Sequence, residues 1–177
     1  MTLALLGGDV AERLTDRDWP ESTAGTTSGL GTTLSEGVRA RRFRYGGGEI
    51  VFTVNRSTPE GVISTIRALS DLLSLPENWD SYGARRIDPS MLPSVLRLML
   101  DVMQDGTPVP AVVPTSRGGV QLEWHTRGID LEVEFISPTR LWGSYEDARF
   151  GQGWEKDLTV DLTPLSKAIA ELTDRTS

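Results

Sequence analysis

Gly118-Gly119-Val120-Gln121-Leu122-Glu123-Trp124-His125-Thr126-Arg127-Gly128-Ile129-Asp130-Leu131-Glu132-Val133-Glu134-Phe135 alternates apolar and polar residues on both sides of Thr126-Arg127-Gly128. Strict alternation marks a strand with one buried face, and a short connection containing glycine joins two such strands as an antiparallel hairpin. The pattern sends Val120, Leu122, Trp124, Ile129, Leu131, Val133 and Phe135 toward a core. It sends Gln121, Glu123, His125, Asp130, Glu132 and Glu134 to the opposite side.

Outward from this hairpin, Pro110 to Val113 and Leu141 to Tyr145 read as further strands, separated from it by the short connections SRGG and SPTR. Connections of this length favour an antiparallel meander. Asp157 to Leu162 reads as an added edge strand, and Thr163 as the cap of a last helix with Pro164 in its first turn and Leu165, Ala168, Ile169 and Leu172 inward.

Upstream, two helical stretches are expected. One has Ser57 or Thr58 as N-cap and the stripe Val62, Ile66, Leu69 and Leu73. The other opens at Asp88-Pro89, its regular start delayed by Pro93, with the stripe Leu92, Leu96, Met99 and Met103, and stops at Gly106. Before them, Arg41 to Tyr45 and Glu49 to Val54 read as a hairpin around Gly46 to Gly48. Strands grouped with strands, and helices between two strand blocks, predict an α+β fold: N-terminal β-hairpin, two central helices, antiparallel β-meander and C-terminal helix. The stretch 21 to 36 is rich in Gly, Ser and Thr and poor in large apolar side chains. Residues 1–36 are therefore expected to be a flexible arm and 37–177 a single domain.

The formal net charge of −7 and the absence of cysteine argue against a nonspecific coat on nucleic acid and exclude disulfides, thiolate metal sites and cysteine nucleophiles. The apolar run Leu3 to Leu6 lacks a basic flank and is cut by Gly7-Gly8 and Asp9, so a cytoplasmic protein with no membrane association is expected. Charge is uneven along the chain. Arg39, Arg41, Arg42, Arg44 and Arg56 stand against Glu49 alone, whereas 120 to 161 is dominated by Asp and Glu.

Four segments carry candidate chemistry. In the loop between the central helices, Asn78, Trp79, Asp80 and Tyr82 form either a turn-stabilising plug or a partner site. On the meander, Glu123, His125, Glu132 and Glu134 form a solvated strand face, an acidic docking surface for a basic protein, or a divalent-cation site. Arg41, Arg42, Arg44 and Tyr45 could grip a phosphate backbone and stack a base, or simply protect a sheet edge. Trp142, Tyr145, Phe150 and Trp154 read as core or interface aromatics, with a ligand pocket as the alternative.

His125 is the only histidine, and no nucleophile elbow, phosphate loop or compact metal signature is present. No catalytic residue, resident metal or cofactor is expected. A metal-assisted hydrolase would require Asp80, Glu123, His125 and Glu132 to converge.

Pro76-Glu77-Asn78-Trp79-Asp80-Ser81-Tyr82-Gly83-Ala84 and the later Gly118-Gly119-Val120-Gln121-Leu122-Glu123-Trp124 together resemble a family of small bacterial proteins of unassigned function. Its members carry a Pro-x-Asn-Trp-Asp-x-x-Gly-Ala loop and a Gly-Gly-apolar-x-apolar-Glu-Trp strand. The resemblance covers Leu72 to Phe135, implies a bacterial or phage origin and brings no activity with it. The composite expectation is a noncatalytic module that binds a protein with a basic surface, as an antitoxin, immunity or inhibitor protein would.

Overall fold

The computed structural model describes residues 3–7, 39–45, 48–54 and 60–175. The chain divides into two compact units, Met1–Thr58 and Pro59–Ser177. In the first, β1 (Leu3–Gly7) and β2 (Arg39–Tyr45) each pair antiparallel with β3 (Gly48–Val54). Leu3–Gly7, within the segment read as an arm, is therefore a paired strand. The remainder of that segment, 1–2 and 8–36, and the expected helix cap at Ser57 or Thr58 lie outside the described residues.

The second unit is α+β. Helices α1 (Glu60–Leu73) and α2 (Leu92–Val102) precede a five-stranded antiparallel sheet, and α3 (Thr163–Asp174) ends it. The sheet is a plain meander of β4 (Ala111–Pro114), β5 (Val120–Thr126), β6 (Ile129–Ser137), β7 (Arg140–Asp147) and β8 (Gln152–Asp157), in sequence order. Short connections dictate that order, since only adjacent antiparallel strands can be joined by so few residues.

Alternation determines the core. Val120, Leu122, Trp124, Ile129, Leu131, Val133 and Phe135 are all buried, each aliphatic side chain contributing about 1.5–3 kcal/mol by leaving water. Trp124 also donates its indole N–H to the Pro108 carbonyl at 2.8 Å, so its one polar atom is satisfied inside. The helices supply Val62, Ile66 and Leu69, then Leu92, Leu96, Met99 and Met103, then Leu165, Ala168, Ile169 and Leu172. Tyr145 of β7 donates its hydroxyl to Glu171 of α3 at 2.9 Å, which sets α3 on the sheet's apolar side.

Two local expectations are corrected. The edge strand is Gln152–Asp157, not 157 to 162. A tight turn closed by Gly151 N–H to the Asp147 carbonyl, with Gly151 at φ 61, starts it early. Asp157 ends it by accepting from Thr159 N–H at 2.8 Å. Thr163 does not cap α3: the Asp161 carboxylate accepts from the Thr163 N–H at 2.9 Å, and Leu162 is the capping position. Asp88 opens the second helical stretch as expected, accepting from Ser90 N–H, and the regular start is delayed by a turn: Pro89–Met91 is a single 3-10 turn and α2 follows from Leu92. No helix among the described residues is long and apolar enough to cross a membrane.

Candidate functional site

The face of the sheet opposite the core is built by register. Glu123 of β5 stands directly across from Glu132 of β6, Gln121 from Glu134, and His125 from Asp130. On the next strand Ser144 faces Glu132, Trp142 faces Glu134 and Glu146 faces Asp130. Beyond them, Glu155 of β8 pairs with Ser144 and Asp157 with Trp142. One surface thus carries Glu123, Asp130, Glu132, Glu134, Glu146, Glu155 and Asp157, with Trp142 exposed among them at 39%.

Like charges directly opposite on neighbouring strands repel, so local bonds have to hold this arrangement. His125 bridges two carboxylates, with Nδ1 at 2.8 Å from Asp130 Oδ1 and Nε2 at 3.1 Å from Glu123 Oε2. A neutral imidazole donates from one nitrogen only, so both contacts are satisfied by the imidazolium alone. The bond to Asp130, then that to Glu123, accordingly raises the His125 pKa above its usual 6.5 against a smaller effect of burial. Gln121 donates to Glu132 at 2.9 Å, and Arg117 pairs with Glu134 at 3.2 Å. Thr159 holds Asp157 by hydrogen bonds, which with Arg140 nearby keep its carboxyl below the usual carboxylate range.

Glu123, His125 and Glu132 bring one ligand atom each within 4.8 Å of one another, a spacing that a divalent cation could use. Asp80 is not part of that group. Its carboxylate accepts from Tyr82 N–H at 2.8 Å and Ala84 N–H at 3.0 Å, and these two bonds, the Ala84 one foremost, lower its pKa. The convergence that a hydrolase of this composition requires is therefore absent among the described residues.

The loop that holds Asp80 is closed on itself. Asn78 accepts from Gly83 N–H through its side chain at 2.7 Å, while its own N–H donates to the Ala84 carbonyl at 2.7 Å. Asn78 and Ser81 adopt φ of 61° and 65°, left-handed values at which Asn is among the better-tolerated residues. Trp79 donates to the Arg85 carbonyl at 3.2 Å, and Glu77 accepts from Arg86 N–H at 3.0 Å. Tyr82, 94% exposed, projects from the tip.

The chain leaving this loop then pairs with the β4–β5 turn, Arg85 N–H donating to Ser116 and Asp88 N–H to Gly118, each at 2.9 Å. A Cβ on Gly118 would stand 2.6 Å from the Arg86 carbonyl oxygen, and Gly118 has φ 88. The Pro-x-Asn-Trp-Asp loop and the Gly-Gly turn are thus two halves of one backbone junction. No hydrogen bond or ion pair among the described residues joins the loop's polar side chains to the carboxylate face.

The aromatic group does not form one cluster. Trp142 and Tyr145 are three residues apart on a strand and so point to opposite sides. Tyr145 stacks on Trp154 on the apolar side, with centroids 5.7 Å apart and planes at 16°, whereas Phe150 is 69% exposed at the β7–β8 turn beneath the Arg175 guanidinium. Of the nucleic-acid candidates, Arg41, Arg42, Arg44 and Tyr45 belong to β2, and their side chains lie outside the described ones.

No protein-family model, curated protein or solved structure matches this chain significantly. The continuation of the acidic face onto Trp142, Glu146, Glu155 and Asp157 was missed by a reading confined to β5 and β6. The alternation of Trp142, Ser144 and Glu146 in LWGSYED held the signal. The buried pair of Asp147 with Arg175 was missed as well. Its forked contact, one arm at 3.1 Å, holds the Asp147 carboxyl well below the usual range and ties the end of α3 to β7.

Proposed function

We propose that this chain is a protein-binding module whose outer sheet face docks a partner with a basic surface, as a bacterial or phage antitoxin, immunity or inhibitor protein would. The observation that supports it is the cross-strand pair Glu123–Glu132 on a face that also carries Asp130, Glu134 and Glu146, with Trp142 exposed beside them. A face that serves only solubility gains nothing from stacking like charges in register, and mixed signs would be less costly. Complementary charge steers encounter and rejects wrong partners, and an exposed tryptophan adds a large apolar contact that also attracts cations.

The test is capture from a bacterial lysate by the full chain and by the Glu123→Gln/Glu132→Gln/Glu134→Gln variant, side by side. A protein retained by the first, released by salt and absent from the second supports the reading. The same proteins on both columns would reject it.

A second reading, cation binding at Glu123, His125 and Glu132, is favoured by their 4.8 Å grouping. The bonds that already engage His125 with Glu123 and Gln121 with Glu132 oppose it, because a cation would have to displace them. Calorimetry with Zn2+ and Mn2+ decides: uptake that Glu132→Gln abolishes supports it, and no heat removes it. Nucleic-acid binding through Arg41, Arg42, Arg44 and Tyr45 of the N-terminal hairpin rests on sequence alone. It predicts complexes whose affinity falls steeply with salt.

A further inference from the structure

On the other side of the sheet, lined by residues of β7, β8 and α3, lies an open pocket of about 460 Å3. That volume falls within the range of small-molecule sites. Tyr145 and Trp154, stacked on each other, line it together with Pro164 and Ala168 of α3.

Charge inside the cavity is asymmetric in what it leaves available. Its two carboxylates have partners within the protein: Asp161 accepts from Thr163 N–H, and Glu171 accepts from the Tyr145 hydroxyl and pairs with Arg175. Its two ammonium groups, on Lys156 and Lys167, make no ion pair among the described residues, although both stand near enough to Asp161 to help keep it ionised. Lys156 is held over the Trp154 ring, its Nζ 5.8 Å from the centroid, which places a cation against the aromatic lining.

We propose that this pocket binds a small planar anion, an aromatic ring bearing one carboxylate or phosphate, with the ring against the lining of Trp154, Pro164 and Ala168 and the anionic group at Lys156 and Lys167. The site is independent of the acidic face, so either can fail alone.

Full-length, 15N-labelled protein titrated with adenosine 5′-monophosphate and, separately, with indole-3-acetate tests it. The indole N–H signal of Trp154, assigned with Trp154→Phe, is the readout. Adenosine and inorganic phosphate serve as controls for ring alone and charge alone. At least one of the two probes shifts that signal saturably with a Kd below about 1 mM, which one distinguishing phosphate from carboxylate as the preferred group. The corresponding control binds about tenfold more weakly or worse, and Lys156→Ala/Lys167→Ala weakens the probe by a similar factor, as expected for loss of charge-assisted bonds. Lys156→Arg/Lys167→Arg restores it, which separates loss of charge from loss of fold. No shift with either probe, a control that binds as well as the probe, or equal binding by the alanine pair overturns the proposal.

Discussion

The NWDSYG loop and the outer face of β5 to β8 are both rich in carboxylate, amide and aromatic side chains, yet they use their polar atoms in opposite ways. In the loop, Asn78 and Asp80 turn onto the backbone of residues 82 to 84, and the whole segment docks on the β4–β5 turn. On the sheet, the pleat prevents such a return except at the end of β8, where Asp157 accepts from Thr159 N–H. Side chains must stand away from the strand, and among the described residues the hydrogen bonds and ion pairs of these carboxylates go to His125, Gln121, Arg117 and Thr159. Composition alone does not separate a structural cluster from a recognition surface. Backbone curvature does, because a tight turn brings its own N–H groups within reach of short side chains and a strand does not.

Several substitutions would break or sharpen that contrast. The largest effect is expected on binding: neutralising Glu123, Glu132 and Glu134 together weakens a captured basic partner by about a hundredfold, measured by calorimetry. The same variant keeps or slightly raises the melting temperature, since relief of a like-charged pair contributes about 0.2–1 kcal/mol. Next is Gly118→Ala, which places a Cβ against the Arg86 carbonyl at a positive φ and costs about 2 kcal/mol or more in urea unfolding. It leaves the carboxylate face chemically intact.

Asn78→Ala removes the bond to Gly83 and strains a left-handed residue, for a loss of about 1–2 kcal/mol. Asn78→Gly keeps the φ and loses less. Neither changes partner affinity. Tyr82→Ala, at the exposed tip, stays within about 0.5 kcal/mol of the parent. If Tyr82→Ala abolishes binding instead, the loop rather than the sheet is the recognition element.

His125 gives a pH-dependent signature of the face. Because its folded pKa is raised, its contribution to stability is complete below 6.5 and is lost as pH rises through the folded value. As the chain has one histidine, its imidazole C–H resonance reports a midpoint above 6.5 without assignment. Asp130→Asn lowers that midpoint most and Glu123→Gln less, following the order of the two bonds. A midpoint at or below 6.5 would mean that the imidazole is not held between them.

Much of the second unit was legible because its code is local. Alternation in VQLEWHT and IDLEVEF sets face and register, and the same alternation separates Trp142 from Tyr145 once the two residues are placed on one strand. What sequence left open depends on contacts distant along the chain. Nothing in DSYGA announces that the next residues will pair with Ser116 and Gly118. Nor does GQGWEKD look like a strand until Tyr145 offers Trp154 a stacking partner across the β7–β8 turn. The pocket was legible only as an aromatic-rich stretch, because Lys167, Pro164 and Ala168 come from a separate element, α3.

The division between an inward-turned loop and an outward-facing sheet is tested most directly by mapping backbone and side-chain NMR shifts of the full chain on addition of a captured basic partner. The changes should centre on Glu123, Glu132, Glu134 and the Trp142 indole, with Asn78 to Gly83 unmoved. Changes centred on Asn78 to Gly83, with the carboxylate face silent, would contradict it.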